Sequence, residues 1–186
     1  MLTTEQKYEK KRYIAKSTCE LFVQKGYVNI TISEIAKVAG VGKGTIYEYF
    51  KSKEEIIFEL MGCLQEDYDK KHLKKLKSLT SPKEKLLCLF DIYFSEEKTI
   101  KIQRDIYREY LSVLMSRSSQ EIYQYHHQMQ AKYIKIVENI FSDAIEKDEL
   151  QKLSKEFIPS IFATLDGFFI ARKPKNIIYR ISNSFS

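Results

Sequence analysis

Residues 21–56 read LFVQKGYVNITISEIAKVAGVGKGTIYEYFKSKEEI, and the spacing inside this stretch decides the fold. Thr31 followed by Glu34 has the form of a capping box, in which each side chain satisfies the other's backbone N–H, so a helix is predicted to begin there. Ile35, Ala36 and Ala39 then recur at helical spacing. Gly40 offers a sharp turn, Val41 is placed to plug that turn into the core, and residues 43–50, KGTIYEYF, predict a second short helix. Upstream, residues 5–25 predict one helix with Ile14, Thr18, Leu21 and Phe22 on one side, closed by Gly26 as a left-handed cap. Downstream, Ser52 and Glu55 repeat the box and open a long helix to about Lys75.

Two short helices around a glycine turn, braced by a longer one in front, form the helix-turn-helix arrangement. Ala36 is small enough for close helix approach, and Ile35, Val41, Ile46 and Phe50 are the expected internal anchors. The segment from Lys43 is the candidate for major-groove entry. Thr45, Tyr47 and Tyr49 carry hydroxyls suited to phosphate oxygens, and a Thr methyl or aromatic edge packs on a thymine methyl. Periodicity places Lys43 and Tyr49 on the exposed side, and Lys43 suits a guanine edge or a phosphate. Thr31, Ser33 and Lys53 are read as a phosphate clamp. Each position has a plainer reading: Thr31 and Ser52 as caps alone, Tyr47 as an interhelix packing residue. Glu48 is able to accept from a cytosine amine but is repelled by phosphate.

Charge points the same way. Residues 1–53 hold ten Lys or Arg against five Asp or Glu, so +5 of the net +6 lies there. A basic surplus gathered in one region attracts phosphate; a lysine-rich solvated surface has the same composition.

The stretch from about Ile14 to Ile57 resembles the N-terminal DNA-binding domain of the TetR family of bacterial regulators. Leu21-Phe22, Gly26-Tyr27, Thr31, Ile35-Ala36, Ala39-Gly40-Val41, Gly44-Thr45-Ile46-Tyr47 and Tyr49-Phe50-Lys51-Ser52-Lys53-Glu54 stand in register, over about a quarter of the chain. The resemblance implies a recognition helix at about 43–49. It implies phosphate contacts from Thr31, Tyr47 and Lys53, and base-edge or nearby backbone contacts from Ser33, Lys43, Gly44, Thr45 and Tyr49. Gly42 departs from the serine or other capping residue usual there, at a cost of a few tenths of a kcal/mol.

Beyond Leu79 the reading is coarser. Ser81, Pro82 and Glu84 mark another boxed helix start, with Leu86, Leu87, Leu89, Phe90 and Tyr93 following to about residues 95–97. Helical pattern resumes through Ile102, Ile106, Tyr110, Val113 and Leu114. Ser118 with Glu121 opens a helix to about Glu146, and a last helix is predicted from Ser154 to Ala171. In that helix Phe157, Ile161, Leu165 and Phe168 form one stripe, and the small residues Ala163, Gly167 and Ala171 a second. The TetR-like resemblance implies that the last two long helices pair with their twofold mates in a homodimer, which doubles the DNA contacts. It also implies a small effector. Phe90, Tyr93, Phe94, Tyr107, Tyr110, Tyr133, Phe162 and Phe169 are candidate walls for a largely apolar or aromatic ligand, with Glu109 and Asp166 as polar anchors. Most of these are equally suited to plain core packing.

The expected fold is all-α: a three-helix helix-turn-helix domain at 1–50 joined to a helical regulatory and dimerisation domain at 51–186. The expected function is repression from a palindromic operator, relieved when the effector moves the fourth helix and misaligns the recognition helices. An activator or partner-controlled regulator of the same build, a low-specificity architectural DNA binder, and a ligand-binding protein that has lost DNA binding are the alternatives, the last disfavoured because the motif keeps Lys43, Tyr47 and Lys53 together. Other classes are disfavoured. No stretch approaches the apolar length of a membrane span and no secretory signal opens the chain, so a cytoplasmic location is expected. Cys19, Cys63 and Cys88 are odd in number and lack CxxC spacing, which disfavours a disulfide scaffold or structural zinc. His126 and His127 are adjacent and point about 100 degrees apart on a helix, unlike a metal pair at i,i+4. HExxH, GxSxG, Walker and dinucleotide fingerprints are lacking, so neither an enzyme nor a cofactor is expected.

Overall fold

The computed structural model describes residues 3–116 and 120–170. Among them only helices and turns occur: α1 (Thr4–Ser17), α2 (Cys19–Lys25), α3 (Ile32–Val38), α4 (Lys43–Tyr49), α5 (Lys53–Leu76), α6 (Pro82–Leu89), α7 (Asp91–Phe94), α8 (Lys98–Ser116), α9 (Gln120–Glu146) and α10 (Ile158–Ile170), with 3₁₀ turns at Tyr27–Asn29 and Lys152–Phe157. Two compact units emerge: residues up to Lys74 with Ser95–Ser116, and Lys75–Phe94 with the described residues from Gln120 on. The first is larger than the 1–50 domain expected, because the short helices α1 to α4 do not close a core alone. They complete it with α5 and α8, whose Ile56, Ile57, Leu60, Ile106 and Tyr110 are fully buried beside Ile14, Phe22, Ile35, Ile46 and Phe50. Burying each such side chain contributes about 1.5–3 kcal/mol.

The predicted helix at 5–25 is two helices. Thr18 is fully buried, and its Oγ1 donates to the Ala15 carbonyl at 2.6 Å while its N–H bonds the same oxygen at 3.1 Å. A threonine with no water to turn to bonds its own backbone and tightens the turn. Gly26 follows with φ 70° and ψ 156°, a positive φ but not the left-handed helical cap expected. Helix α1 is tied to α5 by Lys11–Glu59 at 3.3 Å, Arg12–Glu66 at 2.7 Å and Lys16–Asp67 at 2.7 Å.

In the second unit α6 and α10 pack on α9. The box expected at Ser81 does not form: Ser81 holds the N-cap position without a side-chain bond, and the start rests on Pro82 at the first turn and on Lys85 N–H bonding Ser81 O at 3.0 Å. Residues 152–157 wind as 3₁₀, so the regular helix begins at Ile158, later than Ser154, and the buried stripe becomes Ile158, Phe162, Leu165 and Phe169. Phe157, expected on that stripe, is 58% exposed. The Ser118 start, Ala171 and the tail from Lys173 lie outside the described residues. No helix among the described residues is long and apolar enough to cross a membrane.

Candidate nucleic-acid interface

The site is built from two helix starts. At α3, Thr31 is the N-cap: its Oγ1 accepts from Glu34 N–H at 3.3 Å and Glu34 Oε2 accepts from Thr31 N–H at 2.9 Å, completing the box. The same Oε2 accepts from the Thr31 hydroxyl at 2.9 Å, and Lys25 Nζ donates to Glu34 Oε1. Helix α3 ends where Gly40, at φ 65°, donates to Lys37 O at 3.2 Å and Val41 N–H reaches back to Ala36 O at 3.0 Å. That pair of bonds is the Schellman closure, which reverses the chain and launches α4. Val41 is half-buried, less deeply seated than expected.

Helix α4 begins without a side-chain cap at Gly42, as the sequence implied, so its first N–H groups face outward. Ile46 at its centre is fully buried and Phe50 at its end nearly so, which fixes the helix by one face. Lys43 and Gly44 in its first turn are exposed, as is Tyr47 at 59%. A Cβ added at Gly44 would meet nothing within 4 Å, so another molecule has open access to the backbone there. Thr45 and Tyr49 are half-buried, Tyr49 more so than its period indicated, while Thr31 and Ser33 are exposed at the neighbouring helix start. Thr31 and Ser33 thus stand at the start of α3, and Lys43, Gly44, Thr45, Tyr47 and Tyr49 run along α4.

Lys53 departs from the phosphate clamp. Its Nζ donates to Tyr27 O at 2.7 Å and Ile30 O at 2.8 Å, with Val28 O at 3.4 Å, and lies 4.3 Å from the centre of the Tyr27 ring. An ammonium has three N–H donors, and these carbonyls engage them from inside the fold. Glu109 departs in the same way from the role of effector anchor, because its Oε2 accepts from Tyr27 N–H at 2.6 Å.

The remaining effector candidates divide between the units. Tyr107 and Tyr110 are buried in the first, stacked at 5.8 Å, with Phe58 edge-on to Tyr110 at 5.6 Å. In the second, Phe90 meets Phe162 at 5.9 Å and Tyr93 at 6.1 Å, and Tyr93 meets Phe169 at 4.7 Å and Phe94 at 6.4 Å. Half-buried Tyr133 lies in the same unit as this aromatic cluster. Asp166 Oδ2 accepts from Gln130 Nε2 at 2.7 Å and lies 3.9 Å from His126 Nε2. Burial, then the neighbouring His127, pushes the His126 pKa down. Gln130 was not singled out in the sequence, and His126 was weighed there only against a metal pair with His127; the two lie at i and i+4 on α9, a spacing that marked them as one face. Ala163, Thr164 and Gly167 of α10 are exposed, with open space where a Gly167 Cβ would stand.

An exposed helix-turn-helix surface carrying Thr31, Ser33, Lys43, Gly44 and Tyr47 is the arrangement of a DNA-binding module. Residues 14–60, about a quarter of the chain, match the family model of bacterial regulatory proteins, tetR family, and the proteins to which the chain is similar are transcriptional regulators. The Fatty acid metabolism regulator protein of Bacillus subtilis is 29% identical over 168 residues, covering 87% of this chain and 82% of that protein. Two further curated HTH-type regulators match over 34% and 33% of their own length. Among solved structures, a Clostridium perfringens chain assigned as a fatty acid metabolism regulator superposes with a TM-score of 0.60 at 27% identity, covering 92% of this chain and 87% of that one. The Bacillus subtilis regulator FadR in complex with stearoyl-CoA has the same fold, with a TM-score of 0.60 at 24% identity and coverage of 86% and 84%.

Proposed function

We propose that this regulator is a homodimeric repressor that occupies a palindromic operator and leaves it on binding an effector with a large apolar part, of which a long-chain acyl thioester is the favoured class. The observation that carries the operator reading is the exposure of Thr31 and Ser33 at the start of α3 and of Lys43, Gly44 and Tyr47 on α4. Phosphates supply most of the affinity and a few base edges at each half-site the specificity. Thr31, Ser33 and Tyr47 contact phosphates; Lys43, Gly44, Thr45 and Tyr49 lie at base edges or the nearby backbone; Lys53 acts through the turn it holds. One short helix reads few base pairs, so two copies related by a dyad are needed. They meet through α9 and α10, where the exposed Ala163 and Gly167 permit close helix approach. The protein acts in the cytoplasm, where its operator is.

The effector class rests on the name of the Bacillus subtilis relative and on the aromatic cluster of Phe90, Tyr93, Phe162 and Phe169. Aromatic faces of this kind suit contact with a methylene chain, each buried CH₂ contributing about 0.8 kcal/mol. Release requires that the effector bind the operator-incompatible state more tightly than the compatible one. The test is selection of duplexes from a random pool at about 0.15 M salt, near physiological screening, with Tyr47→Ala in parallel, followed by titration of the complex with palmitoyl-CoA. A palindrome lost in the variant and released by palmitoyl-CoA supports the reading. Unrelated fragments overturn operator recognition, and a complex indifferent to palmitoyl-CoA overturns the effector class.

A further inference from the structure

The turn between α2 and α3 is held from two sides by helices outside the helix-turn-helix. Tyr27 N–H donates to Glu109 Oε2 of α8 at 2.6 Å, while Tyr27 O accepts from Lys53 Nζ of α5 at 2.7 Å. One residue therefore has an anion on its N–H and a cation on its C=O, both charge-assisted bonds of the shorter and stronger kind. Lys53 also takes Ile30 O at 2.8 Å, one residue before the N-cap of α3. A Cβ at Gly26 would stand 3.3 Å from Glu109 Oε2, so the absence of a side chain is what leaves the carboxylate room. Tyr27 is 8% exposed, and the 3₁₀ turn that begins with it and ends just before Ile30 is three residues long. So short a hydrogen-bonded segment has little slack with which to absorb a displacement at either end.

We propose that Glu109 and Lys53 are the positioning residues that set where α3 and α4 stand for the operator: α8 acts through the Tyr27 amide and α5 through the Tyr27 and Ile30 carbonyls. A shift of either helix is carried to the start of α3 without passing through α1. The inference rests on the operator reading above and adds to it a route of control through α8 by a residue that touches no DNA.

The test uses the full chain and its Glu109→Ala, Glu109→Gln and Glu109→Asp variants, read by hydrogen exchange over residues 26–31 and by affinity for the palindrome the wild type selects. Glu109→Ala is expected to speed exchange of the turn about tenfold while α10 keeps its protection, and to weaken operator binding about tenfold. Glu109→Gln keeps an oxygen that accepts from the same N–H and stays within about threefold of wild type on both readouts. Glu109→Asp retains the charge but draws it back by one methylene, so it reports even where the alanine variant does not fold; operator affinity is expected to fall about threefold or more. The proposal is overturned if exchange of the turn is unchanged, if Glu109→Asp binds the operator like wild type, or if Glu109→Gln is as damaged as Glu109→Ala. A wild-type protein that selects no palindrome overturns the operator reading itself, whereas a selected palindrome bound equally well by the variants overturns this inference alone.

Discussion

At Glu34 a single carboxylate closes the start of α3 and anchors Lys25 of the preceding helix. The Lys25 ammonium, then the Thr31 N–H and hydroxyl, hold its pKa down at about 2 against an ordinary 4.5. A folded value below the unfolded one means that the unfolded state takes up protons first as pH falls, so stability is lost on acidification. The contribution of Glu34 is complete above pH 4.5 and disappears as pH falls from there through about 2. Urea melts of wild type and Glu34→Gln should therefore differ at neutral pH and converge across that window. Curves separated by the same amount at every pH would show that the charge plays no part in the cap.

At the scale of elements, one closure is used twice with different residues. Gly40 ends α3 at φ 65°, with its N–H on Lys37 O and Val41 N–H on Ala36 O. Asp148 follows α9 at φ 58°, with its N–H on Ile145 O and Glu149 N–H on Ala144 O. Left-handed backbone costs most L-residues about 1–2 kcal/mol, aspartate less. Gly40→Ala is therefore expected to destabilise the protein by about 1–2 kcal/mol, from torsion alone because a Cβ there meets nothing within 4 Å. Asp148→Gly should stabilise by up to about 1 kcal/mol, since glycine enters the same conformation freely. Thermal unfolding of the two variants tests the signs, and a neutral Gly40→Ala would mean the turn relaxes out of the left-handed region. The operator affinity of Gly40→Ala should fall further than its stability, because this turn sets the angle between α3 and α4.

For the whole molecule, net charge overstates what DNA can use. Of the cations in the N-terminal region, Lys11, Arg12, Lys16 and Lys25 are paired with carboxylates and Lys53 with carbonyls. The Arg12 pKa is raised chiefly by Glu66, in keeping with a tight pair. Lys7, Lys10, Lys37, Lys43 and Lys51 remain, all at least partly exposed. Each phosphate neutralised contributes about −0.9 to the slope of log affinity on log salt, so Lys43→Ala in a dimer should flatten that slope by about 2 units if Lys43 meets a phosphate. Loss of sequence preference with an unchanged slope would place Lys43 on a base edge. Titration of operator affinity between about 50 and 200 mM salt distinguishes them.

The helix-turn-helix was legible along the chain from short-range bonding alone. Thr31–Glu34, Gly40 and the periodic Ile35, Ile46 and Phe50 act over three to five residues, and such short-range bonding is the same wherever the segment lies in a fold. Which groups Lys53, Glu109 and Asp166 bond is set by packing across the fold. Their partners lie 26, 82 and 36 residues away in sequence, and all three carried charges that suited DNA or ligand equally well. The break at Thr18 and the division of the aromatic residues between two units belong to the same class. Each depends on which surfaces are denied water once the helices pack, and no spacing along the chain encodes that.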